Sequence, residues 1–288
     1  MNSVYQIVTD RIIAQIEEAI KNNEVLPWQK PWTAGNVAVN YVTQRPYRGI
    51  NIWLLQGGEW ITWNQICDEQ KKNPNVHLKK GSKSSIAIFF KWKEVKDEDA
   101  EDGKKRVPIL RYYNVFNIKD VEGLVSKRDT VSYDHDPIEE AERIANDYVS
   151  REGIKLSYVD EDRAFYRPAT DEIHVPPMDK FKELGEFYST LFHEMVHSTG
   201  NKKRLARIAD TAFFGNEEYS KEELVAEMGA AMLCGRVGID SVTADNSAAY
   251  LQNWLGALKK DVTMLVSAAS KAQRAVDFIT GETVEYTE

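Results

Sequence analysis

Apolar residues at Val4, Ile7, Val8, Ile12, Ile16 and Ile20 keep helical spacing as far as Asn22-Asn23, which predicts an amphipathic helix at the start of the chain. Leu26-Pro27-Trp28-Gln29-Lys30-Pro31-Trp32 then reads as an extended segment displaying two rings. Arg45-Pro46-Tyr47-Arg48-Gly49-Ile50-Asn51 is a turn that interleaves aromatics with arginines. Trp60-Ile61-Thr62-Trp63 opens another helix with Thr62 as its N-cap. Ser85–Trp92 has the pattern of a strand, and Leu110–Asn117 is its expected partner. Between them the charged run Lys96–Arg106 reads as a solvated hairpin loop. A helix is expected over Ile138–Glu152, then a short strand at Asp171–Val175 stopped by Pro176-Pro177. Leu184, Tyr188, Leu191 and Met195 form one stripe of a helix that Gly200 ends, and His193 and His197 point away from that stripe. The segment Ser220–Cys234 is a further helix with Leu224, Val225, Met228 and Met232 as its main core face. C-terminal helices are expected between Ser247 and Thr280, where Ala268, Ala269, Ala272 and Ala275 favour helix and permit close packing.

These elements predict two α+β domains: a small antiparallel sheet with helices against it, then a short sheet with several helices. The polar stretch Val125–Pro137 separates residues 1–128 from 129–288. Charge supports the division. Residues 1–128 carry 20 Lys+Arg against 15 Asp+Glu, and the remainder 17 against 30. Six of the seven tryptophans lie in the first 92 residues, and Lys71 to Lys93 holds seven lysines and no acid. Basic residues mixed with exposed rings suit single-stranded nucleic acid, because amines neutralise phosphates and rings stack on unpaired bases. The competing reading buries the tryptophans in a core and leaves the lysines facing water. No apolar run approaches a membrane span and the N-terminus has no signal-peptide core, so no membrane partner is expected. Cys67 and Cys234 read as ordinary thiols, which points to a reducing cytoplasm.

The chemistry concentrates at His193-Glu194-Met195-Val196-His197. Two imidazoles four residues apart on one helix face can grip one zinc ion, and the adjacent Glu194 can act as general base on water. No histidine follows His197, and position 203 is a lysine. The third ligand is therefore a carboxylate or an upstream histidine such as His174. Glu223 and Glu227 share a second stripe of the downstream helix, continuing into Ala230 and Cys234, and carboxylates avoid such surroundings unless paired or metal-bound. Glu223 is the favoured ligand, with Glu227 orienting a histidine from the second shell. Ser220-x-x-Glu223 also fits a capping box; if Glu223 only caps, Glu227 is the ligand. Glu222 projects elsewhere, beside Gly229, and reads as solvated.

The chain resembles the ArdC-type antirestriction proteins of mobile elements. In the first domain the likeness rests on Thr9–Ile13, Pro27-Trp28-x-x-Pro31-Trp32, Tyr47–Asn51, Lys79-Lys80-Gly81 and Val115-Phe116-Asn117. In the second it rests on Asp171–Pro176, His193–Gly200, Arg204-Leu205, Tyr219–Ala231 and Asn253-Trp254-Leu255. The resemblance implies a single-stranded-DNA-binding first domain, a zincin-like, gluzincin-type metallopeptidase second domain, and protection of incoming DNA from restriction. Carried over by position, His193, His197 and Glu223 would be zinc ligands and Glu194 the base. Trp28, Trp32, Tyr47, Arg48, Lys79, Lys80 and Lys83 are the candidate DNA contacts. The acidic run Asp97–Asp102 departs from the shorter basic loop expected there. A protein or peptide substrate, or a restriction enzyme, would be the second partner. The strand Glu172–Val175 is expected to offer an edge to an extended substrate. The alternative is a DNA-occluding protein whose metal site is structural or inactive.

Overall fold

The computed structural model describes residues 3–22, 38–55, 57–96, 104–128, 137–161, 163–208, 217–239 and 255–282. Trp28, Trp32, the Asp97–Asp102 run and Asn253-Trp254 lie outside these residues. The chain divides into two compact units, Met1–Ile12 with Val37–Asp129, and Ile13–Asn36 with Thr130–Glu288. The division runs through helix α1 (Val4–Asn22) rather than leaving all of residues 1–128 together. The second half of α1 groups with the later unit, where Glu17 pairs with Lys259 at 3.0 Å.

The first unit holds a four-stranded sheet in the order β1-β2-β5-β4, made of Ala38–Asn40, Gly58–Thr62, Lys104–Asn117 and Ser85–Lys96. It is mixed rather than purely antiparallel. β1 runs parallel to β2, because the link between them crosses over through helix α2 (Asn51–Leu54) instead of turning back as a hairpin. The β4–β5 pairing is the expected one, Ser85 opposite Val115 through Lys96 opposite Lys104, so the strands run further into the charged segment than its composition suggests. Trp60 and Ile61 belong to β2, and helix α3 (Trp63–Lys72) begins after Thr62, whose side chain and that of Gln65 form a reciprocal capping box. A minor ladder joins β3 (His77–Leu78) to β6 (Val121–Glu122). One apolar cluster gathers Ala38, Tyr47, Leu55, Trp60, Ala87 and Val115. A second gathers Tyr41, Ile61, Ile66, Val76 and Val121.

Asn51 closes part of the edge of β4. Its amide donates to Ile88 O at 2.9 Å and accepts from Ile88 N at 2.7 Å, as a neighbouring strand would. Asn51→Ala leaves both groups of a buried residue unpaired and is expected to cost about 1–3 kcal/mol. A thermal midpoint equal to that of the wild type would show that the pairing contributes nothing.

The second unit places helices α4 (Pro137–Glu152), α5 (Leu184–Thr199), α6 (Glu217–Val237) and α7 (Met264–Thr280) with a three-stranded sheet. Its order is β7-β9-β8, from Lys155–Tyr158, Glu172–Val175 and Phe165–Arg167. β9 is thus the central strand, hydrogen-bonded to β7 on one side and β8 on the other. Glu172–Val175 has no free edge to offer a substrate, which corrects the sequence expectation. Between Leu224 and Cys234 helix α6 is enclosed on most sides, with Leu224, Val225, Ala226, Met228, Ala230, Leu233 and Cys234 all inaccessible or nearly so. Ala268, Ala269, Ala272 and Ala275 are all buried on α7, which packs against α6.

Candidate metal centre

Helix α5 is more enclosed than a single stripe predicts. Phe187, Phe192, Val196 and Ser198 are buried beside Tyr188, Leu191 and Met195, whereas Leu184, assigned to the stripe, is exposed. Gly200 caps the helix with φ −72, a right-handed conformation, so left-handed freedom is not its use. A Cβ there would lie 2.6 Å from Ile208 Cγ1, and both Arg207 N and Ile208 N donate to Gly200 O. The loop after α5 therefore folds tightly back over the helix end.

His193 and His197 meet Glu223 where α5 lies against α6. The two Nε2 atoms are 3.1 Å apart, Glu223 Oε2 is 3.5 Å from His193 Nε2, and Glu223 Oε1 is 3.3 Å from His197 Nε2. Among the described residues this is the group of His, Cys, Asp and Glu side chains arranged to hold a metal ion. The set suits a divalent cation: tetrahedral ligation at about 2.0–2.1 Å gives donor–donor edges of about 3.4 Å, near the 3.1 Å between the two rings and the 3.5 and 3.3 Å from each ring to one or the other Glu223 oxygen. Burial opposes charge on both rings. Even so, contact with Glu223 lifts His193 above its ordinary value, and Glu222 with Glu223 lifts His197 to about 10. The imidazoles in turn hold Glu223 far below the usual carboxylate range against the opposing effect of burial. Such surroundings favour positive charge between the three side chains. Glu194, between the histidines on the same helix, is 7% exposed.

Two further carboxylates support the rings. Glu227 Oε1 lies 3.8 Å from His193 Nδ1, on the side away from Glu223. Glu222 is not solvated, contrary to the sequence reading; its Oε1 is 3.6 Å from His197 Nδ1. Arg207 grips Glu222 with two nitrogens, at 3.2 and 2.7 Å, and also donates to Thr199 Oγ1 and Val196 O at the end of α5. Gly229 explains the misreading. A Cβ at that position would come within 2.7 Å of Val196 Cγ2, so this face of α6 presses on α5 instead of facing water. Arg207 carries no signal in the sequence, because its partner Glu222 reads there as solvated.

His174 is not among the grouped donors. It stacks on Phe165 at 4.6 Å and lies 3.0 Å from Glu172 Oε2. Lys155 first, then Ser157 and His174, hold the Glu172 carboxyl down at about 2 from its ordinary 4.5. A depressed carboxyl contributes stability that is present above pH 4.5 and lost as pH falls toward 2. The stability gap between wild type and Glu172→Gln should therefore shrink between pH 7 and pH 3; an unchanged gap would contradict the assignment. Arg204, of the Arg204-Leu205 motif, is buried against Asp171, Tyr166 and Ser198 O and ties the end of α5 to the start of β9.

In the first unit, Tyr47 is 8% exposed within the apolar cluster, so its ring packs in the core and is not available to a base. Arg48 is half-buried, and Lys79, Lys80 and Lys83 are exposed. Lys79 donates to Lys119 O at 2.7 Å. Tyr219 lies in α6, and its side chain is outside the described set.

Comparison with known proteins identifies both halves. Residues 142–271 match the model of a zincin-like metallopeptidase domain, and residues 2–116 that of the N-terminal domain of the anti-restriction factor ArdC. The metal-free crystal structure of the antirestriction protein ArdC from the R388 plasmid is 34% identical, with 98% of each chain covered and a TM-score of 0.73. The chain belongs to the ArdC-type antirestriction family. A Mn(II)-bound structure of the same ArdC protein matches at 32% identity over 99% of this chain and 100% of that one, again with a TM-score of 0.73. Among curated relatives, the uncharacterized protein y4eC of Sinorhizobium fredii is 30% identical over 96% of this ArdC-family chain and 91% of its own length. DNA primase TraC of Escherichia coli is 31% identical over 96% of this chain, which spans only 27% of TraC. The second domain is of zincin type, and the first is an ArdC N-terminal domain. Among the described residues no helix is long and apolar enough to cross a membrane.

Proposed function

We propose that the chain is an antirestriction protein of a mobile element, acting in the cytoplasm, that binds single-stranded DNA and hydrolyses a peptide bond at a divalent-metal site. The donor triangle of His193, His197 and Glu223 beside Glu194 carries this reading. Those three side chains would hold the cation. Zinc suits two imidazoles and a carboxylate, and the Mn(II)-bound relative makes manganese the second candidate. The cation supplies Lewis acidity toward water and a carbonyl oxygen. Glu194 takes the proton from the attacking water and delivers it to the departing amine. Glu222, pinned by Arg207, and Glu227 fix the orientation of the two rings. His193, His197 and Glu223 are each less than a fifth exposed, which limits bulk water at these transfers. DNA binding rests on the family of the first domain and on the exposed lysines and rings around β4.

The test is transfer of unmodified plasmid DNA into a restricting recipient that makes the full chain. Transfer should exceed that of a recipient lacking the protein, and Glu194→Gln should remove the advantage. No advantage with the wild type would overturn the antirestriction reading. An undiminished advantage with the variant would remove hydrolysis from it and leave occlusion of DNA as the mechanism.

A further inference from the structure

β2 pairs with β5 only at Val115–Asn117, while β4 and β5 stay paired out to Lys96 and Lys104. Residues 86–96 and 104–114 therefore form a two-stranded ribbon beyond the sheet. Strand alternation puts Ile88, Phe90 and Trp92 on one face with Leu110 and Tyr112 opposite them. On this face Ile88 is 6% exposed and Leu110 5%, whereas Tyr112, opposite Ile88, is 46% exposed, Phe90, opposite Leu110, 44% and Trp92 56%. Rings of this size are ordinarily buried; Phe89, 43% exposed, stands open on the opposite face, and the three left open together on this face mark a contact surface.

We propose that this face of the ribbon, carrying Phe90, Trp92 and Tyr112, is the platform on which single-stranded DNA stacks. The inference rests on the DNA-binding half of the function proposed above and gives it a location. Charge selects the occupant. Lys71 to Lys93 contains no acid, and Lys80, Lys83, Lys91, Lys93 and Arg111 are all exposed. Alternation sets Lys91 and Lys93 on the face opposite Phe90 and Trp92, with stems long enough to reach around the outer edge of β4. A polyanion lying along that edge meets amines with its phosphates and rings with its bases. Phe90 and Trp92 are two residues apart, about 6.8 Å along a strand. Bases stack at about 3.4 Å, so one base fits between the two rings. Tyr112 is the diagonal neighbour of Phe90 and extends the platform across the ribbon. Glu94, exposed on the same face as Trp92, and the acids from Asp97 onward end the platform near Lys93. Tyr47, the aromatic of the turn motif, belongs to the core that anchors the ribbon.

The test uses the full chain and a fluorescein-labelled oligothymidylate, read by anisotropy at several salt concentrations. Stacked rings contribute a factor of about 5 to 150 each. The combined Phe90→Ser, Trp92→Ser and Tyr112→Ser variant should therefore bind at least about 100-fold more weakly with its thermal midpoint unchanged. Trp92→Phe, which keeps a ring, should stay within a few-fold of the wild type. Lys91→Ala with Lys93→Ala should flatten the salt slope by about 1.4, the share of two single-strand phosphate contacts. If the wild type binds and the triple variant binds equally well, the platform is overturned while DNA binding stands. If the wild type itself does not bind, the DNA reading and the platform fall together. If the triple variant keeps its DNA affinity but loses self-association, the face joins copies of this chain and the inference is overturned.

Discussion

Exchanging Glu194 for glutamine is expected to leave the cation bound and to lower peptide hydrolysis by about 100- to 10,000-fold, the usual contribution of a positioned proton acceptor. The amide keeps the shape and packing of a side chain that is 7% exposed, and removes only its capacity to take a proton. Turnover of a quenched-fluorescent peptide library, with metal content from equilibrium dialysis, separates the outcomes. Undiminished turnover would place proton transfer on another group. Loss of the cation from the variant would make Glu194 a ligand. A wild type that cleaves no peptide would remove hydrolysis from the proposed function.

The second large effect is on cation affinity, and it discriminates among three glutamates of one helix. Glu223→Ala removes a donor from the triangle and should weaken binding more than any neighbouring change. Glu222→Gln and Glu227→Gln disturb only the support of a ring, for which about 10- to 100-fold is typical. Arg207→Met should match Glu222→Gln, and the double variant should add little, because the guanidinium acts through that carboxylate. Competition titration with a chelating dye measures all of these. A larger loss from Glu227→Gln than from Glu223→Ala would make Glu227 the ligand and Glu223 the support.

Much of this site was legible in the sequence because its parts are local. Two histidines at helical spacing with a glutamate between them depend on nothing outside one helix, and Glu223 and Glu227 stand out as two carboxylates on a stripe that continues into Ala230 and Cys234. Glu222 was misplaced for the opposite reason. A glycine beside it on the helical wheel suggests solvent, whereas Gly229 is where a second helix comes too near for a Cβ. The hairpin partners and the Thr62 cap were readable, since alternation and capping chemistry are short-range. The parallel pairing of β1 and the central place of β9 were not, because strand order depends on how connections cross. Tyr47 shows the same limit: aromatics among arginines look alike whether a ring faces a base or fills a core, and only its burial distinguishes them.

The close approach at Gly229 has a further consequence. The donors sit on two long helices whose separation is set by backbone-to-side-chain packing and clasped by Arg207, not on loops. Their geometry is then established when the domain folds, and the ordering entropy is spent at that stage rather than at metal uptake. Such a cradle acts as a gauge of fixed aperture. Cations would exchange through it without unfolding, and chelation would empty it without melting the domain.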